Sequence, residues 1–338
     1  MYICKDCFRD DELRSEVSSN ANRDDKCDVC GNSGKLIDFT EFYNFFDALL
    51  SLFTSSDKSN KTIVDIIQDE WNLFKDKDVA KTLLSDVIKT HNYEFSIDTF
   101  VDYIDEIKER ISIWERLKIS VKEKSRFFTN MDEFAQYNYL TIGKSLSIGQ
   151  KLYRSRVTPI GQKKIKCEKM GCPPKELATA GRANPIGIPY LYLSDSAKTT
   201  YFEVRAVYLD KLSVGTFKIE RNLKLIDFVY DVNLFLSYDN GLISLKDAII
   251  KKKVIESISS DLSKPLRRYD SELEYVPTQL ICEYCKGIVD SDGATADGIT
   301  FESSLHKGGR NFVLFDESSA KCIRVDSHEI TKIDIDKK

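Results

Sequence analysis

The chain has 338 residues, 42% of them hydrophobic, and its 50 basic and 54 acidic side chains give a formal net charge of -4. Such a length exceeds a typical single domain, and the apolar share is enough for real hydrophobic cores. The near balance of charge argues against a general nucleic-acid binder, and no stretch approaches the length of a membrane-spanning helix. Short basic runs at 251–253 and 264–268 are flanked by acidic or apolar residues, so we interpret them as solvated helix faces.

Two CxxC pairs stand at the amino terminus. Cys4 and Cys7 form the first pair, Cys27 and Cys30 form the second, and nineteen residues lie between the pairs. This spacing is typical of a zinc site. Four cysteines fill a tetrahedral site and leave no position for a substrate, so we predict a structural zinc that holds the fold of residues 1–35.

Disulfide bonds are the alternative for these cysteines. The opening MYICKDCF lacks the basic and long apolar regions of a secretory signal, which disfavours disulfides. We therefore expect a reducing compartment, the cytoplasm, for a chain with nine cysteines. A third CxxC, Cys282 with Cys285, falls in an amphipathic segment that begins at Pro277; one helical turn explains its spacing, and we expect two reduced, partly buried thiols.

Residues 36–145 have a helical pattern. Apolar residues recur there at steps of three and four, which predicts a bundle of four or five helices. The segments concerned are 39–53, 63–74, 79–88 and 100–114. The stretch 141–150 is the best boundary before the next unit, which we place at 146–338.

The carboxy-terminal unit alternates strands with helices. We expect 215–220 and 223–228 to form paired strands, 257–262 and 278–288 to be helical, and 298–303 and 311–316 to be strands. The predicted class is α+β with a mixed, mainly antiparallel sheet. His306 and His328 are expected at the surface, because three histidines in the whole chain give little support to an imidazole metal site or a Ser-His-Asp triad.

A strand-to-helix segment with polar side chains lies within this unit. The apolar run 188–193 predicts a short buried strand, and the Ser-Asp-Ser cluster after it predicts a helix N-cap. Glu203 falls about two turns into that helix, where its carboxylate either contacts a specific group or forms a solvated ion pair. Tyr192 either stacks on a ligand ring or fills the core with its hydroxyl satisfied.

Three arginines stand near the short apolar strands: Arg154 and Arg156 in LYRSRV, and Arg182 in GRANP. The planar fork of arginine suits the two phosphates of a dinucleotide better than the point charge of lysine. The alternative is that these arginines form surface ion pairs.

These motifs together resemble the RES domain family, from about residue 152 to the end of the chain. LYRSRV, GRANP, the Tyr192-to-Glu203 spacing and Ser303 in DGITFESS match in that order. The sequence departs from the family pattern where Ala183 replaces a tryptophan and where Glu302 precedes the serine.

The resemblance implies an ADP-ribosyltransferase-like domain that consumes NAD. By this resemblance Glu203 orients the ribose hydroxyls and stabilises positive charge as the nicotinamide–ribose bond breaks, a carboxylate role that glycoside hydrolysis also needs. Ser303 hydrogen-bonds the nicotinamide–ribose portion, Tyr192 contributes to the NAD site, and the three arginines hold the pyrophosphate. The ADP-ribose acceptor, which is phosphate, water or a protein side chain, stays open.

Family members often act as toxins paired with an antitoxin, and longer members carry a helical region described as HEPN-like. We therefore expect a toxin or antiphage defence effector that is restrained by an antitoxin, by another regulatory protein or by self-association. HEPN ribonucleases use an arginine followed after four to six residues by histidine; His91 lacks that arginine, so we expect a regulatory module. The rival hypothesis is a non-catalytic zinc-containing adaptor that binds a nucleotide or a partner.

Overall fold

The computed structural model describes residues 1–241, 243–264 and 272–332. The predicted basic residues Arg267 and Arg268 lie outside this part of the chain. The chain divides into two compact units: Met1–Ser112 with Asp231–Lys252, and Ile113–Tyr230 with Lys253–Lys338. The domain limits at residues 35 and 145 stay a prediction. No helix in the described ranges is long and apolar enough to cross a membrane.

The strands and helices of the described residues have the following bounds. The strands are β1 Tyr2–Cys4, β2 Arg23–Lys26, β3 Ser33–Asp38, β4 Phe53–Ser55, β5 Val101–Tyr103, β6 Ile142–Leu146, β7 Lys151–Val157, β8 Leu191–Ser194, β9 Lys211–Ile219, β10 Leu223–Asp227, β11 Gly298–Glu302, β12 Arg310–Leu314 and β13 Ala320–Glu329. The helices are α1 Asp11–Asn20, α2 Tyr43–Leu50, α3 Ile63–Ile66, α4 Lys77–His91, α5 Asp105–Ile111, α6 Ile113–Ile119, α7 Asp132–Gln136, α8 Ala197–Glu203, α9 Leu234–Asn240, α10 Leu245–Ser263 and α11 Val276–Lys286.

The first unit carries a small antiparallel sheet, in the order β1-β3-β2, and a group of helices. Its core is aromatic: Phe8, Phe42, Phe46 and Phe74 are at most 1% exposed, and the Phe46 and Phe74 rings stack with centroids 5.4 Å apart. Aromatic pairs of this kind contribute about 0.5–1.5 kcal/mol beyond the area that they bury. These four phenylalanines are therefore core residues of the first unit.

The predicted helix over 100–114 is wrong in its first part. Val101–Tyr103 forms β5, which pairs with β4, and the helix begins only at Asp105. Val101 and Tyr103 are buried while Asp102 between them is half-buried, which is the alternation of a strand. Over so short a segment, apolar residues at steps of two and of three or four cannot be told apart from sequence.

The second unit is built on an eight-stranded sheet of described strands, in the order β13-β9-β7-β8-β12-β11-β10-β6. Only β10 and β11 pair in parallel among these strands, so the sheet is mixed and mainly antiparallel, as predicted. The expectation that 215–220 and 223–228 pair with each other is wrong. Both edges of β9 are taken by β7 and β13, and both edges of β10 by β6 and β11.

One face of this sheet buries an aliphatic and aromatic core. Leu152, Leu191, Leu193, Phe217 and Phe312 are at most 3% exposed and belong to one cluster. At about 25 cal/mol per Å² of apolar area removed from water, each such side chain contributes about 1.5–3 kcal/mol. This packing fixes the strands β7 and β8, which carry the predicted site residues Arg154, Arg156 and Tyr192.

The third CxxC lies on α11. Cys282 and Cys285 are both 0% exposed and neither forms a disulfide, so they are reduced thiols that are buried completely rather than partly. Pro277 lies in the first turn of this helix, where the missing N–H of proline costs no hydrogen bond.

Candidate functional site

Glu203 is the last residue of α8. The helix starts where Ser196 caps it, with its Oγ accepting a hydrogen bond from the Thr199 N–H at 3.1 Å. On the other side of α8, the Thr200 hydroxyl meets the buried Ser155 hydroxyl of β7 at 2.5 Å. Two turns of helix thus separate Glu203 from its N-cap, and contacts at both ends of the segment fix its position.

The Glu203 carboxylate is held by two side chains from the sheet. Ser303, which directly follows β11, donates a hydrogen bond to Glu203 Oε1 at 2.7 Å, and Asn311 of β12 donates to the same oxygen at 2.8 Å. Ser194 of β8 donates to Asn311 Oδ1 at 2.8 Å, which fixes the orientation of the amide. Ser303 and Asn311 are 6% and 8% exposed, whereas Glu203 is exposed. No described residue donates a hydrogen bond to Glu203 Oε2.

Asn311 is a site residue that the sequence argument missed. The sequence predicts a strand over 311–316, but it does not predict which strands pair with it. The register places Asn311 opposite Ser194 and that pairing brings it to Glu203. An asparagine at the start of a strand, followed by apolar residues, is the only sequence signal for it.

Tyr192 holds the turn that carries Arg182. The Tyr192 hydroxyl donates to Asn184 Oδ1 at 2.8 Å and accepts from the Ala183 N–H at 3.1 Å. A Cβ at Gly181 would lie 2.8 Å from that hydroxyl, so only glycine allows the approach. Because both hydrogen bonds of Tyr192 serve the turn, its hydroxyl is satisfied within the protein.

Arg182 is partly buried. The Arg182 Nη1 donates to the Leu262 carbonyl at 2.7 Å, and the Arg182 carbonyl accepts a hydrogen bond from the Thr278 hydroxyl at 2.7 Å. Burial lowers the pKa of the guanidinium, and the nearby Glu203 carboxylate opposes that change. The arginine nevertheless stays charged at neutral pH, because arginine titrates far above it.

A cavity of about 250 Å³ opens beside Arg182. Lys118, Lys122 and Lys264 also line it. Lys118 is paired with Asp261 at 2.8 Å and Lys122 with Glu274 at 2.8 Å. Four carboxylates also line the cavity, Glu115, Glu123, Asp261 and Glu274, so it is polar and lined by as many acidic as basic side chains.

Arg154 and Arg156 have different surroundings. Tyr153 pairs with Ser194, and alternate side chains of a strand point to opposite faces, so the two arginines point away from the face that holds Asn311. Arg156 Nη2 donates to the Gly171 carbonyl at 2.6 Å. The structure thus joins Ser303 to Glu203 and Tyr192 to the Arg182 turn, and places Arg154 and Arg156 beside another loop.

Both of these arginines carry a buried nitrogen that has no hydrogen-bond partner among the described residues, Nη1 of Arg154 and Nε of Arg156. Burial and the neighbouring Arg156 lower the pKa of Arg154 to about 10, while Cys172 and Glu317 act in the opposite sense. Buried guanidinium groups of this kind need an acceptor, which an anionic ligand would supply.

Comparison with known proteins identifies the family. A family model described as RES domain matches residues 162–335, which is 174 of the 338 residues. The chain belongs to the RES domain family. No curated protein and no solved structure matches it. Arg182, Tyr192, Glu203 and Ser303 lie within the RES match, whereas Arg154 and Arg156 precede it.

His306 was expected on an open surface, but it packs against α8, the helix that ends at Glu203. Its ring is half-buried and stacks on Phe202, with the centroids 5.0 Å apart and the planes at 6°. Its Nδ1 lies 3.0 Å from the Thr199 hydroxyl. Nearby Arg310 pairs with Asp227 at 3.2 Å.

The four amino-terminal cysteines form a cluster in the first unit. The sulfurs of Cys4, Cys7, Cys27 and Cys30 all lie within 4.8 Å of one another, with the shortest separations at 3.4 and 3.5 Å. A tetrahedral zinc with bonds of about 2.3 Å sets sulfurs about 3.8 Å apart, so the cluster fits this ion. The separations are too long for disulfide bonds, and all four thiols are free.

Proposed function

We propose that this RES-family protein consumes NAD by breaking the nicotinamide–ribose bond, and that it acts as a toxin or defence effector. The observation that carries this proposal is the Glu203 carboxylate, which Ser303 and Asn311 hold through one oxygen. Bond cleavage passes through an oxocarbenium-like state, and a fixed carboxylate beside the ribose stabilises its positive charge.

Glu203 is the catalytic residue of this proposal. A carboxylate that is already oriented costs no reorganisation when charge develops in the transition state. Ser303 and Asn311 orient it, and Ser303 in addition contacts the nicotinamide–ribose portion, as the family implies. We propose that Glu203 Oε2 accepts hydrogen bonds from the ribose hydroxyls.

The arginines and Tyr192 hold the rest of the substrate. Arg182 interacts electrostatically with Glu203 and lines a polar cavity, and its planar guanidinium fork suits a pyrophosphate. We propose that Tyr192 supports this site through the Arg182 turn. Arg154 and Arg156 stay proposed phosphate ligands, and their unpartnered buried nitrogens support an anion on their side of the sheet.

The test is to incubate purified full-length protein with NAD, with and without phosphate, and to identify the products by NMR or mass spectrometry. Free ADP-ribose in both buffers indicates a hydrolase, whereas ADP-ribose-1″-phosphate that appears only with phosphate indicates a phosphorylase. Arg182→Lys keeps the charge and removes the bidentate fork, so we expect it to raise KM. Wild-type protein that binds NAD but releases no nicotinamide, with phosphate or with an added protein acceptor, would support the non-catalytic adaptor instead.

The departures from the family pattern do not favour the adaptor. Ala183 is buried and its N–H contacts Tyr192, while Glu302 is exposed. The Glu203–Ser303 hydrogen bond forms in the presence of both residues.

We also propose that the amino-terminal cysteines bind one structural zinc. The spacing of the sulfurs supports it, and the four cysteines join the end of β1 and the short helical turn after it to the segment between β2 and β3. Metal analysis should find about one zinc per chain in the wild type and none in Cys7→Ser. Cys322→Ser, a half-exposed cysteine outside the cluster, is the matched control and should keep the metal. A wild type without zinc that is as stable as one loaded with zinc contradicts the proposal.

The cellular setting is proposed on the same basis. All nine cysteines are free thiols, which supports a reducing compartment, the cytoplasm. We propose restraint by an antitoxin or another regulatory protein, or by self-association, and a protein substrate if ADP-ribose is transferred to a side chain. Expression of the wild type should then arrest growth, and Glu203→Ala should relieve the arrest.

A further inference from the structure

A chain of hydrogen bonds leads from a carboxylate to an imidazole beside Glu203. The Thr199 hydroxyl donates to Asp195 Oδ1 at 2.8 Å and lies 3.0 Å from His306 Nδ1. The other Asp195 oxygen accepts the backbone N–H of Arg310 at 3.0 Å, so both oxygens of the carboxylate are hydrogen-bonded. The three side chains come from the β8–α8 turn, from α8 and from the loop after β11.

The count of protons in this chain determines the tautomer of His306. The Thr199 hydroxyl has one proton and three polar neighbours: the Asp195 carboxylate, the Ser196 hydroxyl at 2.8 Å and His306 Nδ1. Of these three, the ionised carboxylate can only accept, so Thr199 gives its proton to Asp195, and the Ser196 hydroxyl can supply its own proton. His306 Nδ1 must therefore carry a proton and donate it to the Thr199 oxygen. In the neutral ring the lone pair then lies on Nε2, which has no protein partner among the described residues.

Ser303 links the His306 backbone to the catalytic carboxylate. Its Oγ accepts the backbone N–H of His306 at 3.2 Å and donates to Glu203 Oε1 at 2.7 Å. The ring stacks on Phe202, the residue before Glu203. One serine and one helix end thus position both Glu203 and His306.

Gly309 makes room for this arrangement. A Cβ at Gly309 would lie 2.7 Å from the Thr199 hydroxyl oxygen and 2.8 Å from His306 Nδ1. Both distances are shorter than real Cβ contacts, so any other residue would push the ring and the hydroxyl apart. The loop that carries His306 is therefore shaped around the Thr199–His306 hydrogen bond.

We propose that His306 is a further catalytic residue, the general base that takes the proton from the hydroxyl acceptor of ADP-ribose. This inference rests on the proposed NAD cleavage. The acceptor oxygen bonds to the anomeric carbon of the ribose, the bond to nicotinamide breaks with its electron pair going to the nicotinamide nitrogen, and the acceptor proton moves to His306 Nε2. Thr199 and Asp195 are positioning residues, which hold the tautomer and stabilise the imidazolium through the hydrogen-bonded chain.

A base is needed only when the acceptor loses a proton. Water and a serine or threonine hydroxyl must lose one as they attack, whereas azide is already an anion and loses none. The proposal therefore separates two reactions at one site: transfer to water depends on His306, and transfer to azide does not.

The experiment compares wild type, His306→Asn and Thr199→Val in phosphate-free buffer with NAD, with and without sodium azide. ADP-ribose and ADP-ribosyl azide are quantified by mass spectrometry, and kcat and KM are measured for each. The asparagine amide can still donate to Thr199 but has no basic nitrogen, so His306→Asn tests the chemistry with the local hydrogen bond kept. His328→Asn is the matched control, because His328 also contacts a hydroxyl through Nδ1, that of Tyr201 at 2.9 Å.

We expect His306→Asn to lower kcat for hydrolysis by about 100-fold or more, as for loss of a general base, and to leave azide transfer within about threefold. Thr199→Val should give a smaller loss of hydrolysis alone, and His328→Asn should change neither rate. Unchanged hydrolysis in His306→Asn, equal losses in both reactions, or a wild type that transfers to azide but never to water overturns the proposal. A wild type that releases no nicotinamide with any acceptor overturns the proposed function itself, and this inference with it.

Discussion

Replacement of Asn311 by aspartate tests the geometry around Glu203. Asn311→Asp is nearly isosteric, but it turns a donor into a carboxylate 2.8 Å from Glu203 Oε1. At that distance and an effective dielectric constant of about 20, two unit charges repel by about 6 kcal/mol. The folded protein avoids this repulsion if one carboxyl takes up a proton. For an ordinary carboxyl pKa near 4, that protonation costs about 4 kcal/mol at pH 7.

The loss of stability in Asn311→Asp is limited by the lower of these two costs, the protonation of one carboxyl. Rotation of the exposed Glu203 side chain reduces it further, so we expect a loss of about 2–4 kcal/mol in the free energy of unfolding at pH 7. The folded variant holds a carboxyl whose pKa is raised above its unfolded value, so its stability falls as pH rises from about 4. Near pH 4 the loss should be below about 1 kcal/mol.

Urea unfolding of wild type and variant at pH 7 and pH 4, followed by tryptophan fluorescence and circular dichroism, measures this difference. The control is the double variant Asn311→Asp with Glu203→Gln, in which the like charge is gone and most of the stability should return. The reasoning is refuted if Asn311→Asp is as stable as wild type at pH 7, if the loss is the same at both pH values, or if the double variant recovers nothing.

Three further predictions concern stability. Gly298→Ala would place a Cβ 2.2 Å from the Val313 carbonyl oxygen in mid-sheet, so we expect a lower unfolding midpoint in urea, and an unchanged midpoint would contradict the close approach of β11 and β12. Tyr192→Phe removes both hydrogen bonds to the Arg182 turn, so it should lower the free energy of unfolding by about 1–2 kcal/mol and raise KM for NAD. If both quantities are unchanged, the Arg182 turn does not contribute to the NAD site. Lys77, with Thr62, lowers the pKa of Asp65 to about 2, so this carboxylate stabilises the fold above pH 4 and that stability is lost as pH falls towards 2. Asp65→Asn should therefore lower the free energy of unfolding by about 1 kcal/mol at pH 7, seen as a lower melting temperature, and leave the melting temperature unchanged near pH 2. An equal loss at both pH values would contradict the ion pair.

Local patterns were enough to predict much of the second unit. The β8–α8 segment, the α11 thiols and the strands β11 and β12 all follow from apolar period and turn residues within a dozen positions. Glu203 and Ser303 were predicted from the family pattern, and they contact each other in the structure. Such features depend on neighbours in sequence or on a motif that carries its own spacing.

Pairing across the sheet could not be predicted. The partners of β9 and β10 depend on which strand edges remain open after long loops close, and sequence alone does not specify that choice. Asn311 reaches Glu203 through register, and His306 reaches Thr199 through a glycine loop. Both residues were missed for the same reason: their surroundings come from segments about a hundred residues away.

The face of a strand decides the position of Arg154 and Arg156. LYRSRV lies in β7, and the side of this strand that faces Glu203 depends on the pairing of Tyr153 with Ser194. A shift of one residue would reverse every side chain of β7. The sequence therefore predicts that these arginines bind an anion, but it does not predict which face of the sheet they occupy.

The most direct test of NAD cleavage at Glu203 is the rate of nicotinamide release from NAD by wild type and Glu203→Gln, read by NMR. Glu302→Gln is the matched control, because Glu302 is an exposed carboxylate one residue before Ser303. The account predicts release by wild type and by Glu302→Gln, and a fall of at least about 100-fold in Glu203→Gln with an unchanged melting temperature. Equal release by wild type and Glu203→Gln would contradict it.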